Sequence, residues 1–149
     1  MATRSNIIYK GELDGKTGYH VIYAHWDGYP SYRFPLLDEN YKDEEKVKEL
    51  IRLGDVSSLA ESIEKPDGHT FDKPVKGYTV FYGRDRGETD TNNSFAETIE
   101  EAFTLKDGMW RYLYDSETKE WSIYESYNDY GISYKPLTFE EALAIENGE

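Results

Sequence analysis

The sequence predicts an α+β protein, a mainly antiparallel twisted sheet with short helices folded as a single domain. Three observations carry this. Hairpin signatures stand near both ends of the chain, and punctuated amphipathic helices lie between and after them. The 149 residues also show no internal repeat and no linker long enough to divide them.

Taken in order, Asn6-Ile7-Ile8-Tyr9-Lys10 reads as a strand and Asp14-Gly15 as a hairpin turn. The return strand spans 18–26. Alternation places Tyr19, Val21, Tyr23 and His25 on one face, and His20, Ile22, Ala24 and Trp26 on the other. Apolar groups on both faces predict cover on both sides, with Trp26 pointing toward the core. Gly28 and Pro30 end the strand. Residues 43–54 read as a helix: Asp43 caps it, Glu44 and Glu45 suit its positive end, Val47, Leu50 and Ile51 form its apolar stripe, and Gly54 closes it. A shorter helix is expected over 55–63, a Pro- and Gly-punctuated loop over 65–76, and a third strand over 77–82. Ser94 and Glu97 have capping-box spacing for a helix that turns Phe95, Ile99, Ala102 and Phe103 inward. Residues 109–114 and 120–124 form a second hairpin. Thr138 and Glu141 open a C-terminal helix by the same capping rule.

Composition narrows the function. Thirty acidic residues against 17 basic ones give a net charge of −13. Generic binding to a phosphate backbone needs a basic face, so no direct nucleic-acid partner is expected. A solvated surface, a basic protein partner and mimicry of nucleic acid all stay open. The chain has no cysteine, which excludes disulfides, thiolate metal sites and a cysteine nucleophile. His20, His25 and His69 lack metal-ligand spacing, and no phosphate-binding glycine loop or serine elbow is present. No cofactor, metal or catalytic residue is therefore assigned, and the reading leans away from an enzyme. No apolar run could cross a bilayer and no signal core opens the chain, so a cytoplasmic protein without a membrane partner is expected. A homo-oligomer stays open.

Two stretches could carry chemistry. The first is His25-Trp26-Asp27-Gly28-Tyr29, at a strand end. His25 could serve as a base or as a donor to phosphate, with Asp27 orienting it and Trp26 and Tyr29 supplying flat faces. The plainer reading has Trp26 filling the core and Asp27 closing a turn on its own backbone. The second is Arg84-Asp85-Arg86-Gly87-Glu88. If the strand continues, Arg84 and Arg86 project to one side and could fork onto phosphate oxygens. The plainer reading is internal pairing with Asp85 or Glu88. Arg4 precedes the first strand and could join the same anion pocket. Tyrosine rows at Tyr112 with Tyr114, and from Tyr124 to Tyr134, could form a base-stacking platform or simply pack across strands.

The stretches 1–7 (Met-Ala-Thr-Arg-Ser-Asn-Ile), 25–30 (His-Trp-Asp-Gly-Tyr-Pro), 46–51, 54–59 and 82–88 resemble a group of small uncharacterised proteins of tailed phages and prophages. The resemblance runs to about Glu88, with a looser match in the second hairpin. It carries no activity that can be transferred residue by residue. It implies a phage accessory protein made in a bacterial host. By analogy of class it suggests a counter-defence factor that sequesters a nucleotide-like signal or binds a host defence protein.

The expected function is thus binding of a small anionic, nucleotide-like ligand through Arg4, His25, Trp26, Asp27, Tyr29, Arg84, Arg86 and Glu88. The alternative is inhibition of a host defence nuclease or restriction protein through the acidic surface. A hydrolase using His25 ranks last.

Overall fold

The structure is a computed structural model that describes residues 3–106, 108–125 and 131–148. Its centre is a hairpin of two long strands, β1 (Ser5–Leu13) and β2 (Lys16–Trp26). The register pairs Leu13 with Lys16, so Asp14 and Gly15 form a two-residue turn. Both have positive φ, 52° and 90°, the combination that matches strand twist. The hairpin read from Asp14-Gly15 is therefore present, with longer arms than expected.

A mixed, mostly antiparallel sheet of seven strands grows from this hairpin. On one side β1 pairs in parallel with β6 (Trp110–Asp115), which pairs with β7 (Glu120–Glu125). On the other side β2 takes two partners along its length. β5 (Ser94–Ala96) lies against Tyr19 to Val21, and β3 (Val56–Ser58) lies parallel to Ala24 and Trp26. β4 (Val80–Phe81) closes that edge. This is the expected α+β class.

Helices α1 (Pro30–Asn40), α2 (Glu44–Leu53) and α5 (Phe139–Glu146) cover one face. Leu36, Leu37, Val47, Leu50, Ile51 and Ala142 bury there against Ile7, Tyr9, Ile22, Ala24, Tyr112 and Tyr114. The other face carries a smaller core of Ile8, Val21, Leu113 and Tyr124, closed by Ala96, Ala102 and Phe103. Between them come α3 (Tyr82–Arg86), a single turn, and α4 (Ile99–Ala102).

Local chemistry explains each helix. In α2 the Asp43 side chain accepts the Lys46 N–H as expected. In α5 both halves of the Thr138/Glu141 capping box form. Four expectations fail. Helix α1 stands where Pro30 was taken only as a strand breaker; proline at the first helical position loses no hydrogen bond. Residues 55–63 contain strand β3 rather than a helix, because the parallel edge of β2 recruits Val56 to Ser58. Residues 94–96 are strand, and the working cap lies four residues later, where Thr98 accepts from the Glu101 N–H. The third strand keeps only Val80 and Phe81, and the chain then turns into α3.

Candidate anion-binding site

The end of the central hairpin is assembled from both of its strands. The ladder ends where Ser5 pairs with Ala24, so Arg4 precedes β1 at the same end at which His25 and Trp26 finish β2. Tyr23 and His25 occupy the same face, and the Tyr23 hydroxyl shares a 2.7 Å hydrogen bond with His25 Nδ1. With the phenol donating, the neutral imidazole carries its proton on Nε2. Asp55, just before β3, accepts the Tyr23 N–H at 2.9 Å and Lys106 Nζ at 3.2 Å. Arg4, Tyr23, Asp55 and Lys106 together line an open depression of about 240 Å³.

Two cations and one carboxylate line this depression. Burial raises the Asp55 carboxyl above its ordinary range, and the Tyr23 N–H and Lys106 pull it partly back. Lys106 and Asp55 largely neutralise one another. Arg4 is exposed, and no ion pair engages it among the described residues. It leaves a free fork of donors at the rim of a molecule whose net charge is −13. Among the described residues no cluster of three or more His, Asp or Glu could hold a metal ion.

The turn from His25 to Tyr29 follows directly on this strand end. Trp26, expected in the core, is instead 42% exposed. It is the last residue of β2, and its indole meets the His25 ring edge-on at 4.9 Å. Tyr29 caps α1 through its carbonyl, which accepts the Tyr32 and Arg33 N–H groups, and its ring lies 6.0 Å from that of Tyr32. Tyr32 is 43% exposed. Asp27 is half-buried, and the partner that orients His25 is Tyr23 rather than Asp27.

Beneath the turn lies Arg33, whose side chain is fully buried in α1. Its Nη1 donates to Ser5 Oγ at 2.8 Å and its Nη2 to the Trp26 carbonyl at 2.7 Å. Its Nε has no partner, and no carboxylate lies within ion-pair distance among the described residues. Burial lowers its pKa. A buried charge of this kind costs roughly several kcal/mol unless the site compensates it.

The remaining expected residues lie elsewhere. Arg84 does not continue a strand row; the α3 turn folds it back. Its Nε and Nη2 fork onto Asp85 at 2.9 and 3.1 Å, and Nη1 donates to the Ile63 carbonyl at 2.6 Å. It lines a groove on the α2 side of the sheet, opposite the face that bears His25. Arg86 stacks over Phe71 at 4.7 Å and approaches Glu88 at 3.5 Å. The expected single cationic pocket is therefore divided. Arg4 lines the depression and His25 is linked to it through Tyr23, whereas among the described residues Arg84, Arg86 and Glu88 are engaged by other partners. Tyr112 and Tyr114 are wholly buried and pack in the core rather than forming a platform. Of the second tyrosine row, 126–130 lies outside the described residues, and Tyr134 stacks on Phe103.

Sequence reasoning missed Lys106, Asp55 and Arg33. Alternation already placed Tyr23 beside His25, but Lys106 reaches the site from a loop distant in sequence. No helix long and apolar enough to cross a membrane is found among the described residues. No protein-family model matches the chain, and comparison with curated proteins and with solved structures finds no significant match for either.

Proposed function

We propose that this protein binds a small anionic ligand, nucleotide-like in chemistry, at the end of the β1–β2 hairpin, and acts by holding it rather than converting it. The observation that carries this is Arg4, with its donors unpaired, sharing a depression with Tyr23 and the Lys106–Asp55 pair while the molecule as a whole is strongly acidic. Arg4 supplies the charge-assisted donors for phosphate oxygens, while Lys106 is held by Asp55 and the Asn92 carbonyl. His25 and the exposed Trp26 offer an adjacent hydrogen-bond donor and a stacking face. Nothing in the arrangement resembles a nucleophile and base set against a leaving group, and sequestration needs none. The resemblance to small phage proteins suggests the setting, counter-defence by removal of a host signal.

Titration calorimetry against a panel of mono-, di- and cyclic nucleotides tests the reading. Saturable binding is expected, weakened about tenfold or more in Arg4→Ala, the loss of one charge-assisted contact. Absence of binding by the wild type across the panel, or equal binding by Arg4→Ala, contradicts it.

A second reading rests on the groove of about 660 Å³ beside α2. Glu45, Glu49 and Glu64 rim it above Leu53 and Ile63, while Lys46 and Arg84 spend their charge on backbone carbonyls and Asp85. This suits a basic protein partner such as a host nuclease. A pull-down from bacterial lysate that weakens steeply with salt, and is lost in Glu49→Lys but kept in Arg4→Ala, favours this reading over the first.

A further inference from the structure

We infer that Arg33 is the positioning residue of the hairpin-end site, an inference that rests on the proposed anion-binding reading. Its guanidinium bridges the first residue of β1 and the last residue of β2, through Ser5 Oγ and the Trp26 carbonyl. Those two residues adjoin Arg4 and His25 in the chain, so the clamp fixes the two strand ends from which the site residues project. Gly28 tightens the same join. Its N–H donates to the Thr3 carbonyl at 2.6 Å, and a Cβ at this position would stand 2.6 Å from Ser5 Cβ. The Tyr112 hydroxyl donates to the Gly28 carbonyl from β6. From the other side, the Met109 N–H donates to the Arg4 carbonyl at 2.9 Å.

The choice of arginine is otherwise hard to account for. Helix α1 could fill the position with an apolar side chain of similar length and avoid burying a charge with no carboxylate beside it. What an apolar residue could not supply is a rigid fork that grips a hydroxyl and a carbonyl on separate strands. A buried, rigid donor fork can hold a site in one geometry.

The test uses Arg33→Met in the full-length protein. Amide hydrogen exchange is followed residue by residue, alongside calorimetry with pyrophosphate and with AMP as probes. The expected result is local. The Gly28 and Met109 amides exchange at least tenfold faster, those of Ile8 and Val21 in the middle of the hairpin keep their protection, and probe affinity falls at least tenfold. Unchanged exchange at Gly28 and Met109 overturns the inference, and so does a loss of protection spread evenly over the sheet, which would mark Arg33 as an ordinary core residue. Should Arg33→Met fail to fold, Ser5→Ala removes one arm of the clamp. It is expected to give the same local pattern at reduced size, and the inference falls if it does not. If the wild type binds neither probe, the functional reading fails while the exchange data still decide what Arg33 does.

Discussion

Asp85 shows how much one side chain can decide. Its carboxylate is fully buried and accepts the Phe81 N–H at 2.8 Å together with the fork from Arg84. His69 Nε2 lies 3.6 Å away, and its Nδ1 accepts the Val75 N–H, so the neutral ring keeps its proton on Nε2 and donates to the Thr79 carbonyl. This knot fastens the loop between β3 and β4. Burial pushes the Asp85 carboxyl up, but Arg84 and the Phe81 N–H more than offset it, and the net pKa is lowered. The sign of the linkage follows. A carboxyl with a depressed pKa in the folded state adds stability above its unfolded value of about 3.9, and that stability is lost as pH falls through the folded pKa. Asp85→Asn is expected to cost about 3 kcal/mol at neutral pH, since it leaves Arg84 without its counter-charge. Urea unfolding at neutral pH and again below about pH 3 should show that penalty shrinking in acid. An equal penalty at both would mean that the ion pair is not what Asp85 contributes. The two arginines around Asp85 were misplaced at the sequence level for a definite reason. Period-two alternation was extended past Phe81, where the chain has already entered a helical turn.

At the level of elements, legibility tracked how local the deciding interaction is. The Asp14-Gly15 turn, the Asp43 cap and the Thr138/Glu141 box each close within a few residues, and each was readable. Strand β3 was not, because Val56 and Ser58 are held by Ala24, Trp26 and β4, all distant in sequence. Taken alone, 55–63 has apolar spacing that suits a helix equally well. The Ser94 frame failed similarly, with β2 claiming Ser94 to Ala96 and leaving Thr98 to cap α4. Two substitutions test the local part. Gly15 has φ +90° and nothing within 4 Å of where a Cβ would sit, so Gly15→Ala should cost about 1–2 kcal/mol by backbone strain alone. Thr138→Ala should cost about 1 kcal/mol through loss of the cap. Chemical denaturation measures both; a neutral Gly15→Ala would show that the turn relaxes to another type.

Across the whole molecule, the candidate site is assembled from strand ends and loops distant in sequence rather than from one sequence motif. Arg4, Tyr23, Asp55 and Lys106 come from four separate segments, brought together by the pairing of β2 with β1 and β3 and of β6 with β1. Of these four residues the sequence marked Arg4, and alternation set Tyr23 beside His25, to which it is hydrogen-bonded. Lys106 and Asp55 depended on long-range topology. A net charge of −13 on 149 residues also has a global consequence. Mutual repulsion opposes compaction, so raising NaCl from about 10 mM to about 0.5 M should increase the thermal midpoint by screening. A falling midpoint in calorimetry would indicate that specific ion pairs outweigh the general repulsion.

Amide chemical-shift mapping during titration with AMP and with pyrophosphate tests the central claim most directly. Binding at the hairpin end predicts saturable shifts concentrated at Arg4, Tyr23, His25, Asp55 and Lys106, lost in Arg4→Ala and kept in Arg86→Ala. Shifts centred on Phe71 and Arg86, or no saturable shift with either probe, would contradict it.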